Sequence, residues 1–239
     1  MSRSMLLICL GLLPLGCETK PQSPPISKKK LETPSTSKKV DVGPNIWLEV
    51  LPDGKRQVII SAEVCLTEGT LELFLTRKGT KEHEAILAAD VDARKIHEAL
   101  ILAGATAGEP VRFAPKFLPP TGTRIEIDVT YRVNDDEVKT LRANEWIREN
   151  ATKAPLSSDW VFAGSVLADD PFNPNAPKRY LANEGDLIAV ANFETAMLDL
   201  PIESSKADSS RGFEAWTEKL PPRGTKVAVT LRPIIAAKK

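Results

Sequence analysis

Arg124-Ile125-Glu126-Ile127-Asp128-Val129-Thr130-Tyr131-Arg132-Val133 is the stretch that decides the reading of the fold. Ile125, Ile127, Val129 and Tyr131 share one face and Glu126, Asp128 and Thr130 the other, the period of two that a strand with one buried side imposes. Asn134-Asp135 supplies a turn, and Glu137 to Leu141 continues as a second strand. Further out, Ile46 to Leu51 and Gln57 to Cys65 flank Pro52-Asp53-Gly54, a hairpin signal. Leu71 to Thr76, Trp160 to Gly164, Asp186 to Asn192 and Thr225 to Leu231 read as further strands. One segment has a different period: Ile96, Ala99, Leu100 and Ala103 recur at helical spacing, Asp92 can cap the start and Gly104 the end. Short helical pieces are expected near Ala143 to Arg148 and Phe213 to Leu220. Runs of strands with a lone helix predict an α+β domain, a mostly antiparallel sheet with one well-defined helix over about 92–103 packed on it.

The N-terminal end has another composition. Arg3 precedes an apolar run from Met5 to Leu13, followed by Pro14-Leu15-Gly16-Cys17. The run is far shorter than the roughly 20 residues a membrane-spanning helix needs, so residues 1–16 read as an export signal peptide. Gly16 ahead of Cys17 resembles the lipobox of bacterial lipoproteins, in which the cysteine is acylated, although Pro14 stands where that box carries Leu. Two or more acyl chains give stable anchoring where one gives only reversible binding. Glu18 to Asp41 is Pro, Ser, Thr and Lys with few apolar residues, too little to offset the entropy of ordering. Residues 17–42 are therefore expected to form a disordered tether after the lipidated Cys17, and 43–239 a single globular domain. The expected location is the cell envelope, anchored to a membrane on its periplasmic side.

Thirty-two basic residues balance 32 acidic ones, which argues against nucleic acid as a partner because that requires a concentrated basic face. Of three cysteines, only Cys65 lies in the body of the chain, so no internal disulfide forms there. Gly-rich phosphate loops, paired Cys-x-x-Cys, Gly-x-Ser-x-Gly and His-Glu-x-x-His are all missing. Both histidines fall in one neighbourhood of the sequence, His83 within Lys81-Glu82-His83-Glu84 and His97 on the predicted helix. Three roles stay open for them. Neutral imidazole is a common ligand of zinc or copper, with Glu84 or Cys65 as further donors. One ring could act as a base, Ser165 being the only serine in a suggestive setting. Otherwise His97 locks the helix through a hydrogen bond and His83 caps a turn.

Val64-Cys65-Leu66 with Gly69-Thr70-Leu71-Glu72, then Gly79-Thr80-Lys81-Glu82-His83-Glu84, His97-Glu98-Ala99-Leu100 and Gly104-Ala105, resembles the start of the YdjY-type domain. Trp146, Trp160 to Ser165, Gly185-Asp186-Leu187-Ile188 and Asn192 to Pro201 resemble the rest of it, so that the likeness spans most of Val42 to Pro233. The family comprises exported bacterial proteins, frequent in planctomycete-like genomes, with no characterised activity. The resemblance implies that Cys65, His83, Glu84 and His97 stand where the family is recognised, which makes them the candidate ligand- or metal-binding residues. Some relatives carry ferredoxin-like names, but a lone body cysteine holds no iron-sulfur cluster. The expectation is a membrane-tethered lipoprotein whose domain binds a ligand or metal without turning it over. An envelope enzyme, a hydrolase or metal-dependent, using His83 and His97 is the alternative.

Overall fold

The computed structural model describes residues 36–173 and 175–235. The expected signal peptide, Cys17 and most of the tether lie outside the described residues. In chain order, β1 (Lys38–Gly43), β2 (Ile46–Val50) and β3 (Arg56–Val64) form an antiparallel meander. They are followed by β4 (Thr70–Leu71), β5 (Leu73–Arg77), β6 (Ala85–Ala89) and α1 (Ala93–Leu102). The hairpin of β7 (Arg124–Arg132) and β8 (Val138–Arg142) precedes β9 (Ile147–Glu149), β10 (Trp160–Phe162), β11 (Leu167–Ala168) and β12 (Arg179–Tyr180). The last strands are β13 (Ile188–Ala189), β14 (Leu198–Asp199), β15 (Phe213–Ala215) and β16 (Lys226–Pro233).

The strand order overturns the expected α+β class. Strands hold 38% of the structure and helices of all kinds 14%, so the protein is mostly β. Its main sheet does not stay open under a helix. The order β3-β16-β7-β10-β14-β13-β5-β6 returns through a β6–β3 pairing to its own start and closes an eight-stranded barrel. Closure is possible because β3 and β7 are each nine residues long and share their outer edge between two partners. β3 pairs with β2 along Arg56–Ile60 and then with β6 at Glu63 and Val64. β7 pairs with β10 at its start and with β8 from Asp128 to Arg132. The meander β1-β2 and the strand β8 are thus flaps on a ring. Two pairs in the ring, β5–β6 and β13–β14, run parallel.

Residues 38–42, placed in the tether by composition, belong to β1. The pieces expected to be helical near 143–148 and 213–220 are each split between a single 3₁₀ turn and a strand, β9 and β15 respectively. α1 lies against β1, β2 and β3 and buries Ile96, Ala99 and Leu100. Its start is doubly capped: Asp92 accepts from the Arg94 amide at 2.9 Å, and Asn183 Oδ1 accepts from the Ala93 amide at 2.7 Å while its Nδ2 donates to Asp92.

One continuous core fills the ring and reaches under α1. Phe74 lies between Trp160 and Trp146, with centroid distances of 5.8 and 6.4 Å, and Trp160 Nε1 donates to the Ala189 carbonyl at 2.6 Å. Beside β14 the core admits a polar group. Asp199 Oδ1 accepts from Asn192 Nδ2 at 3.0 Å and from the Leu200 amide at 2.8 Å, while Oδ2 has no partner among the described residues.

Candidate functional site

Where β3 runs out at Val64, only two residue pairs tie it to β6, and the ring opens outward into a cleft of about 630 Å³. Each wall has a local cause. β5 ends at Arg77, and Lys78 follows it into the turn at Gly79, whose positive φ suits glycine. The 3₁₀ turn Glu82–Glu84 then reverses the chain into β6. Opposite, Pro221-Pro222-Arg223-Gly224 turns into β16, and the Gly224 amide donates to the Val64 carbonyl at 2.8 Å, placing Arg223 over Cys65. A smaller hollow lined by Cys65, Leu66, Glu82, His83 and Arg223 adjoins the cleft.

Two cations in this cleft, Lys78 and Arg223, have no acidic side chain within ion-pair distance among the described residues. The third, Lys226, is paired with Glu63. Glu82 accepts from the Gly79 amide, and Asp90 and Asn45 complete a polar rim. The Cys65 thiol donates to the carbonyls of Ala85 at 3.1 Å and Ile86 at 3.4 Å. Burial, with the Glu82 charge adding to it, pushes this thiol up to about 11. It is therefore protonated and a poor nucleophile at neutral pH.

The four residues singled out in the sequence do not form one group. Cys65 and His83 line the same hollow. Glu84 lies beside His83, 3.7 Å from its Nε2, but is committed to Lys206 at 3.1 Å, and Lys206 in turn pairs with Glu72 at 2.9 Å. Burial works to raise the Glu84 carboxyl, and the Lys206 ammonium and a Glu72 hydrogen bond outweigh it and hold the group below its usual range. His97 is elsewhere. Its Nδ1 lies 2.8 Å from Tyr180 Oη, whose own proton goes to the Gly164 carbonyl at 2.8 Å. His97 is therefore the donor, with its proton on Nδ1. Its ring packs edge-on against Phe162 and Tyr180, with centroids 4.7 and 5.6 Å away. Burial lowers its pKa against the opposing charge of Glu98. Ser165 is also occupied: its hydroxyl donates to the Thr195 carbonyl at 2.6 Å and accepts from the Ala182 amide at 3.0 Å.

Among the described residues no three His, Cys, Asp or Glu side chains converge as a metal-binding group. Lys78 and Arg223 were not legible as site residues. They lie far apart in the sequence, and the only local hint was the Pro-Pro-Arg-Gly turn.

A family model, the YdjY domain, matches residues 50–232, and the chain belongs to that family. No curated protein and no solved structure matches it.

Proposed function

With YdjY membership as the premise, we propose that this chain is an exported lipoprotein, acylated at Cys17, whose barrel holds a small anionic ligand in the seam cleft without turning it over. The observation that carries the reading is the presence of Lys78 and Arg223, two cations with no carboxylate within ion-pair distance among the described residues, on opposite walls of one cleft. An anionic group between them gains charge-assisted hydrogen bonds that neither side chain makes among the described residues. Glu82 and Asp90 stand at the same rim and can accept from a hydroxyl or ammonium on the ligand. Turnover lacks machinery there, because the thiol is held neutral and His83 is mostly exposed, with Glu84 beside it engaged by Lys206 and Glu82 by the Gly79 amide.

Equilibrium dialysis of inorganic phosphate and of citrate against the protein tests the cleft. Saturable binding of either anion, weakened about tenfold or more in Lys78→Gln and in Arg223→Gln, is the expected result, since a hydrogen bond to a charged group contributes roughly 1.5–3 kcal/mol. Binding that does not saturate, or that ignores both substitutions, removes the reading. Mass analysis of the N-terminal peptide of membrane-extracted protein tests the anchor independently. It is expected to show an acylated Cys17, and an unmodified Cys17 would refute the anchor.

A further inference from the structure

Residues 110–120 leave the barrel as a stiff arm tipped with aromatic rings. The arm is fastened at its base, where the Gly108 amide donates to the Phe162 carbonyl of β10 at 2.9 Å. Gly108 and Gly122 face each other there so closely that a Cβ on Gly108 would lie 2.4 Å from the Gly122 nitrogen, and one on Gly122 would lie 2.1 Å from the Phe162 oxygen. The Thr121 amide donates to the Glu109 carbonyl at 2.9 Å, and Arg112 and Leu118 exchange two backbone hydrogen bonds of 3.1 and 2.8 Å. Pro110, Pro115, Pro119 and Pro120 restrict the backbone between these rungs. At the tip Phe113 is 50% exposed and lies 6.2 Å from Phe117 between ring centroids.

Phe113 thus presents half of its surface to water on a braced stem, with the partly buried Phe117 beside it. The charges around it show what it suits. Arg112 and Lys116 alternate with the two rings, and neither has an acidic partner within ion-pair distance among the described residues. From Pro110 to Arg124 there is no Asp or Glu at all. Phe172 makes the contrast: it is 95% exposed but stands beside Asp169 and Asp170, which an anionic surface repels.

We propose that the 110–120 hairpin docks on an anionic lipid bilayer, with Phe113 and Phe117 entering the headgroup boundary and Arg112 and Lys116 meeting lipid phosphates. Amphipathic aromatic and basic segments bind such surfaces by adding apolar burial to electrostatic attraction. The proposal rests on the lipoprotein reading only for bringing a bilayer within reach. The arm would fix how the barrel is oriented on the membrane, which a tether alone leaves free.

The test uses the full chain carrying Cys17→Ala, so that no acyl chain contributes, and vesicles of phosphatidylcholine with and without phosphatidylglycerol. Phe113→Trp is expected to shift its emission to the blue and to be quenched by brominated acyl chains on the phosphatidylglycerol vesicles, and Phe172→Trp to do neither. This readout locates the tip even if the N-terminal segment also binds lipid. In sedimentation the Phe113→Ala/Phe117→Ala double variant is expected to bind about tenfold more weakly, and Arg112→Gln or Lys116→Gln about fivefold each, with the dependence fading at high salt. An unshifted, unquenched Phe113→Trp overturns the proposal. So does vesicle-free association of the protein that the double Phe variant abolishes, which would make the tip a self-contact. Neither outcome bears on acylation of Cys17, which the mass analysis reads separately.

Discussion

Asp199 is a carboxyl with one oxygen hydrogen-bonded and the other unpartnered among the described residues, in a place where water does not reach. Burial raises its pKa to about 7 against the hydrogen bonds from Asn192 and Leu200, whereas an aspartate in the unfolded chain titrates near 3.9. Between those two values the folded protein keeps a proton that the unfolded chain has released. The contribution of Asp199 to stability is therefore full below about pH 4 and is lost as the pH rises through about 7. Asp199→Asn mimics the protonated acid at every pH. Urea unfolding of parent and variant should diverge in the variant's favour by about 1.4 kcal/mol per pH unit from pH 5 to 7 and stay parallel above that. A constant difference across this interval would mean that Asp199 does not titrate there. Nothing in Asn192 to Leu200 announced such a group, because burial of one carboxyl is set by the ring that encloses it and not by its neighbours in sequence.

At the scale of elements, legibility followed length and alternation. β3, β7 and β16 are eight or nine residues long, and the first two are flanked by turn residues that stop the pattern. β6 is Ala85-Ile86-Leu87-Ala88-Ala89, buried at every position, so it carries no alternation to detect. β13 and β14 are two residues each, below any period. β13 falls inside the strand expected over Asp186 to Asn192, but β6 and β14, which complete the ring, were not expected, which is why the sequence suggested an open sheet with a helix on it. The helix was legible from its cap and stripe, but the partner of His97 was not, since Tyr180 comes 83 positions later. That hydrogen bond joins α1 to β12 and to the Gly164 backbone. His97→Ala should lower unfolding stability by about 2–3 kcal/mol, from a lost hydrogen bond and lost packing on Phe162, with phosphate or citrate binding at the seam unchanged. His83→Ala should stay within about 0.5 kcal/mol of the parent. Loss of anion binding in a folded His97→Ala protein would show that the two histidine neighbourhoods are coupled.

Across the whole molecule the ring is uneven. β16 is paired along six residues with β3 and seven with β7, while β10, β14 and β13 are joined by one or two pairs each. Local opening draws on the elements with fewest backbone bonds. Native-state hydrogen exchange should therefore find the amides of Val227, Val229 and Leu231 slowest, and those of Ile188 and Leu198 open at lower free energy despite their complete burial. Equal protection on both sides would indicate that the barrel opens only as a unit.

Because the ring has no ends, a neighbouring chain finds little exposed backbone to extend. In the main sheet only the outer sides of β1 and β8 lack a strand neighbour among the described residues. Lys38 and Lys39 lie along the first and Lys139 along the second. Like charges would face each other if two such borders met, an arrangement that discourages strand-by-strand growth into fibrils at high local density.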